Sequence, residues 1–199
     1  NNVRTQTVNF LSTPPLRLKL VNVQYRIGNT NYLESSNHLD ALESWLRRAY
    51  PINTLQVTRT TFVYPDSGLP NVDTLHGWLA LSKLLNILFA GEDGRVVYYG
   101  VVDDGGGFMR GKAAGIPSTI AAGPSGTDTW GWDFDGSYND WYGGHEIGHT
   151  RGRTHANFCG AGGGGSYPYP NGRISPALTG NTAIYGFDIT TRAIYTTDW

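Results

Sequence analysis

Residues 145–155 read His-Glu-Ile-Gly-His-Thr-Arg-Gly-Arg-Thr-His, and no other stretch limits the fold as tightly. His145 and His149 stand four apart, so a helix must carry them if both side chains are to share one face, with Cβ atoms about 5–6 Å apart. Such a pair can share one metal ion. Glu146 cannot point the same way as both histidines and flanks the ion instead, where a carboxylate can take a proton from a metal-activated water. Gly152 permits the left-handed backbone that a sharp helix exit needs, and the turn returns His155 as a third imidazole. The run therefore predicts one zinc ion held by His145, His149 and His155, with Glu146 as general base. Three of the five histidines fall within these eleven residues. His38 and His76 have no such neighbours and read as surface or helix-face residues.

Periodicity fills in the elements around that helix. Leu16, Leu18 and Leu20 alternate with Arg17 and Lys19, after which Val21, Val23 and Tyr25 alternate with Asn22 and Gln24. The apolar phase flips between Leu20 and Val21, which in a single strand predicts a bulge or bend. Residues 37–49 place Leu39, Leu42, Leu46 and Ala49 at helical spacing, widened by Trp45, with Arg47 and Arg48 as the solvated face and Pro51 just past the end. Residues 55–64 are β-branched and read as a strand followed by a turn at 65–68. Asp73 is the expected N-cap of a long helix with Leu75, Trp78, Leu79, Leu85, Leu88 and Phe89 on one side and Gly91 as its stop. Residues 95–102 form an apolar, branched and aromatic run, as a central strand requires. Residues 118–122 read as an edge strand or as an ordinary surface hairpin.

The metal-bearing helix is expected from about Tyr138 to Arg151, opened by a capping box in which Ser137 accepts a first-turn amide and Asp140 reaches back. Trp141 and Tyr142 are assigned to the core. Gly143 and Gly144 each cost on the order of 1 kcal/mol of helix propensity, so close packing against the sheet is the expected reason for them. Asp133, Asp135, Asn139 and Asp140 have the oxygen chemistry of a calcium site but not the twelve-residue EF-hand spacing, which leaves calcium a secondary expectation. The glycine run 160–165 reads as a flexible loop near the metal. It lacks the Lys-Ser/Thr that follows phosphate-cradling loops.

The 199 residues fit one domain with room for two lobes around a cleft. Fifteen basic and sixteen acidic residues leave a net charge of −1, which offers no electrostatic attraction to nucleic acid or to an anionic membrane. No apolar run is long enough for a transmembrane helix.

The run 145–155 with Gly152 and His155 completes the pattern H-E-x-x-H-x-x-G-x-x-H, and the chain resembles metzincin-type zinc endopeptidases. The flanking residues 132–144, Cys159-Gly160 and 167–172 resemble a secreted microbial branch of that clan. The resemblance implies an α+β zincin-like sandwich: a twisted mixed sheet with backing helices and an active-site helix. It also implies an N-terminal subdomain of about residues 1–152 and a small irregular C-terminal subdomain of about 153–199. It further implies a secreted, monomeric endopeptidase acting on proteins or glycoproteins without a covalent intermediate. Metzincins place a methionine turn after the third histidine, whereas the chain's one methionine is Met109; the turn is expected beyond Trp199, or the branch is divergent. Family members often pair a cysteine just after the third ligand with one near that turn, which would place the partner of Cys159 beyond Trp199. A small buried thiol is the alternative. Two other functions are compatible with the residues: a non-catalytic adhesion or glycan-binding module, and a zinc hydrolase of non-peptide amides. An intact Glu146 argues against the first, because a binding module needs no general base.

Overall fold

The structure is a computed structural model that describes residues 12–127, 133–155, 175–188 and 192–195. Strand β1, Leu16–Ile27, runs through the middle of the sheet. It pairs in parallel with β3, Leu55–Val63, on one side and with β4, Val97–Asp103, on the other. The short β2, Thr30–Tyr32, folds back antiparallel on the end of β1. Beyond β4 lies β6, Ile120–Ser125, again parallel, and beyond that the two-residue antiparallel strand β5, Lys112–Ala113. The result is a mixed sheet with three helices: α1, Ser36–Ala49; α2, Val72–Ala90; and α3, Asn139–Thr150. A separate small hairpin joins β7, Gly186–Phe187, to β8, Ile194–Tyr195.

The phase flip in β1 has a different cause from the bulge expected of it. Pairing with β3 is one-to-one from Leu16↔Leu55 to Gln24↔Val63, and with β4 from Leu18↔Val97 to Val23↔Val102. The strand is continuous because both of its faces are covered, as crossover helices cover a parallel sheet. Leu16, Leu18 and Leu20 enter the core under α1 and α3, with Leu39, Leu42, Leu46, Tyr99 and Ile147. Val21, Val23 and Tyr25 enter the other core under α2, with Leu75, Leu79 and Tyr98. Two of the intervening polar residues are paired across the fold. Asn22 bonds both backbone groups of Glu34, and Lys19 forms an ion pair with Glu92 while donating to the Tyr98 hydroxyl at 3.1 Å.

Helix α1 buries Leu39, Leu42 and Leu46 as the spacing predicts, whereas Ala49 is exposed. Arg48 departs from its expected solvated role. Its guanidinium bonds Asp133, in the approach to α3, and Asp188, at 2.5 Å, beside β7. Helix α2 is capped by Asn71, whose side chain accepts from the amides of Asp73 and Thr74, so the cap lies two residues before the expected Asp73. Gly91 ends it in the left-handed conformation, φ 66°. Its buried face carries Val72, Leu75, His76, Leu79 and Lys83. Lys83 points inward because its Nζ donates to the Val96 carbonyl at 2.6 Å. Leu85, Leu88 and Phe89, expected on the inner side, are exposed.

Strand β4 is buried along almost its whole length between β1 and β6 and is central as expected. The edge assignment for 118–122 is corrected: β6 is internal, with Ala121 and Ala122 covered by Ala113 and Lys112 of β5. Among the described residues the edge on this side of the sheet is the two-residue β5, too short for any periodicity.

Candidate metal centre

Helix α3 is held over β6 and β4 by Ile147, which is fully buried, and against α1 by two glycines. A Cβ on Gly143 would stand 2.7 Å from Leu42 Cδ1, and one on Gly144 would stand 2.5 Å from the Trp45 ring. The close approach predicted for this pair exists, but with α1 rather than the sheet. The N-terminus keeps half of the expected capping box. Ser137 Oγ accepts from the Asn139 amide at 3.2 Å, while the Ser137 amide donates to Asp135 rather than to Asp140. Trp141 is exposed, and Tyr142 is half-buried with its ring edge-on to Tyr138.

The helix exit follows from Gly152. Its φ of 86° lets the Arg153 amide reach back to the Gly148 carbonyl at 3.1 Å and its own amide to the His149 carbonyl at 2.9 Å. These two bonds form a Schellman motif. The chain then reverses toward the helix and brings His155 beside His145 and His149. The three ring centroids lie 4.5, 4.7 and 5.0 Å apart, and the three residues form a group able to hold one metal ion.

The tautomers decide what this triangle is for. His149 Nδ1 lies 2.5 Å from the Arg153 carbonyl, so it carries the proton and leaves Nε2 as a lone pair. His155 Nε2 lies 3.1 Å from His149 Nε2 and 3.0 Å from His145 Nε2. A single ring nitrogen cannot satisfy both contacts with one proton or one lone pair. An ion between three lone pairs resolves the conflict. Tetrahedral coordination at about 2.0–2.1 Å from each nitrogen separates ligand atoms by roughly 3.3 Å, close to the observed spacings. With an ion bound, the Arg153 carbonyl would play the orienting role typical of groups just behind a metal ligand. Without an ion, desolvation and then the neighbouring His149 and His155 push the His145 pKa down to about 4. The His145 ring is thereby favoured as a neutral ligand at ordinary pH.

Glu146 is buried beside the triangle. Burial pushes its pKa up to about 7, opposed by the Ala113 backbone N–H, which donates to it, and by His155. A divalent cation nearby would lower that value again and keep the carboxylate ionised. The chain at 111–113 thus lies directly against Glu146. A Cβ on Gly111 would stand 2.7 Å from Glu146 Oε1 and 2.7 Å from Tyr142 Cδ1. Gly111, the Ala113 amide and the Arg153 carbonyl are functional groups that the sequence did not single out, since backbone groups leave no side-chain signature. Gly111→Ala is expected to displace the carboxylate and lower any activity depending on it by about 10- to 100-fold, with metal content unchanged. Activity and metal stoichiometry of the purified variant check this, and unaltered activity would remove Gly111 from the site.

The other candidates lie elsewhere. His76, expected as a surface or helix-face residue, lies on the buried face of α2, with Nε2 3.0 Å from the Lys112 carbonyl. His38, on α1, has Nδ1 2.9 Å from the Glu34 carboxylate just ahead of that helix. Of the residues proposed for calcium, Asp133 binds Arg48, Asp135 accepts the Ser137 amide, and Asn139 donates to the His38 carbonyl at 3.3 Å. Cys159 and the glycine run 160–165 lie outside the described residues. Comparison of the chain with protein-family models, with curated proteins and with solved structures gives no match, so the reading of the centre rests on its own geometry.

Proposed function

We propose that the chain is a zinc-dependent endopeptidase of metzincin type, secreted and acting on peptide bonds of proteins or glycoproteins. The observation that carries this reading is the convergence of three imidazole nitrogens with a buried carboxylate beside them. Imidazole donors suit zinc among the common ions. Two features of the fold support the finer assignment. The active helix directly follows the strand next to the sheet edge, and the antiparallel edge strand β5 lies against Glu146.

His145, His149 and His155 would hold the ion and leave a fourth position open. When bound, zinc supplies Lewis acidity, lowering the pKa of a water toward about 7 and polarising a carbonyl. Glu146 takes the proton of the attacking water and passes it to the leaving amine. The Ala113 amide fixes that carboxylate and is part of β5, so the strand that positions the base also borders the substrate. Among the described residues β5 pairs with a strand on one side only, and an extended peptide can add along its other side. This arrangement favours a peptide over a compact amide, and a glycan-binding module would have no use for the buried carboxylate.

The test is metal removal and return. Dialysis against 1,10-phenanthroline is expected to abolish hydrolysis of an unstructured protein substrate, and one equivalent of zinc to restore it. An apoprotein as active as the untreated chain, or a purified chain that takes up no zinc, would end the proposal.

A further inference from the structure

The outer side of α2 is built backwards for a helix facing water. Leu81, Leu84, Leu85, Leu88 and Phe89 follow one another at the spacings of an apolar helix stripe, and all five are exposed, Leu88 at 64% and Phe89 at 84%. Together they leave on the order of 500 Å² of apolar surface open, at the upper end of what a monomer tolerates. The charged residues of α2 lie off the stripe. Asp73 stands at the start of the helix and binds Lys112, and the Lys83 amine is spent on the Val96 carbonyl inside the fold.

Beside the stripe the sheet is incompletely covered. A cavity of about 450 Å³ opens between α2 and the edge strand β3, with Lys19, Arg59, Thr60, Ser82, Asn86 and Glu92 among its lining residues. Leu85 and Phe89 follow Ser82 and Asn86 by three residues, so helical geometry places them on the rim of that cavity. Stripe and cavity therefore form one continuous face, on the opposite side of the sheet from the metal centre.

We propose that this face is a two-fold interface between copies of this chain, with the α2 helices antiparallel and Leu85 at the axis. The stripe is uncharged, and the cations at the cavity are already neutralised, Lys19 by Glu92 and Arg59 by Asp40 and Glu43, so the face attracts neither an acidic nor a basic partner and offers an anionic membrane no unpaired cation at the cavity. Self-association needs neither. In an antiparallel pair centred on Leu85, Leu81 of each copy meets Phe89 of the other, and the helix dipoles oppose favourably. The five side chains supply more than half of the roughly 800 Å² per partner that a stable interface buries. The cavity rim supplies the remainder. The inference is independent of the proposed activity and replaces the monomer expected from the sequence.

Light scattering coupled to size exclusion decides it. At micromolar concentration and above, where a standard interface of about −8 kcal/mol is half-formed, the chain is expected at twice its 21.7 kDa mass. The double variant Leu85→Glu/Phe89→Glu is expected at the single mass, with metal content and melting temperature retained. Should that variant fail to fold, Leu85→Cys with Cys159→Ser provides the check, because a bismaleimide should then join two copies through a residue at the axis. A wild-type chain of single mass at about 100 µM overturns the proposal, as does a folded double variant that stays dimeric. Failure of Leu85→Cys to cross-link overturns it too. So does monomeric protein that co-sediments with neutral phosphatidylcholine vesicles, since a lipid surface would then be the occupant.

Discussion

Glu146→Gln is expected to lower peptide hydrolysis by about three orders of magnitude while one metal ion per chain stays bound. The two effects separate because the ligands and the base are held by different contacts. His145, His149 and His155 are positioned by the helix, the Gly152 turn and the Arg153 carbonyl, none of which involves the Glu146 side chain. The amide of glutamine keeps the shape and can still accept from the Ala113 N–H, so neither fold nor metal should change. It cannot carry a proton, and general base catalysis contributes typically 10²–10⁴-fold. The measurement is kcat/KM on an unstructured protein substrate, with metal stoichiometry and melting temperature in parallel. A variant with near-normal turnover and full metal would assign the base elsewhere. A variant that loses the metal would show that the carboxylate supports the ligands, in which case the rate loss says nothing of proton transfer.

The three-histidine group was legible in the sequence because its members lie in one continuous run whose geometry is local: two residues a helical turn apart, then a glycine that reverses the chain. Strand β4 was equally plain, since burial on both faces writes an unbroken apolar run. What could not be read is which partner covers which face. In β1, an apolar phase flip looked like a bulge because alternation records burial but not the number of layers doing the burying. Only the pairing with α1 on one side and α2 on the other explains Leu20 followed by Val21. In α2, leucines on nearly every side made the inner face undecidable by composition, and Lys83 turned inward to reach a carbonyl 13 residues away. Arg48 looked solvated because its two carboxylates lie 85 and 140 residues along the chain. Strand β5 left no pattern because it has only two residues. Apart from the two helix starts, where Asn71 rather than Asp73 caps α2 and Asp135 rather than Asp140 takes the Ser137 amide, these misses concern contacts between segments apart in sequence, and each correct reading concerns a neighbourhood within about two helical turns.

Gly143 and Gly144 set local propensity against packing, and the two predict opposite signs. By propensity alone, Gly→Ala inside a helix stabilises by on the order of 1 kcal/mol per site. Packing points the other way. The new methyl at 143 would meet Leu42 Cδ1 and Cδ2 at 2.7 and 2.9 Å, and that at 144 would meet two Trp45 ring carbons at 2.5 and 2.6 Å. Neither neighbour yields easily: Leu42 is fully buried, and the Trp45 ring is packed edge-on against Tyr50 with centroids 5.9 Å apart. Overpacking of this kind costs about 1–3 kcal/mol per site, so α3 must lift from α1. The double variant Gly143→Ala/Gly144→Ala is expected to lose about 3 kcal/mol net, a fall in melting temperature of roughly 6–12 °C for a chain of this size. Gly148 provides the control, because a Cβ there meets only the Tyr50 hydroxyl, at 3.4 Å. Gly148→Ala should therefore follow propensity and leave stability equal or slightly higher. Metal binding should survive in the double variant, since the ligand run is local, while hydrolysis should fall with the displaced helix, because Glu146 would lose its register against Gly111 and Ala113. Thermal melts of the three proteins decide between the two effects. A double variant more stable than the parent would mean that α1 and α3 are not in the close contact that places the metal run over the sheet.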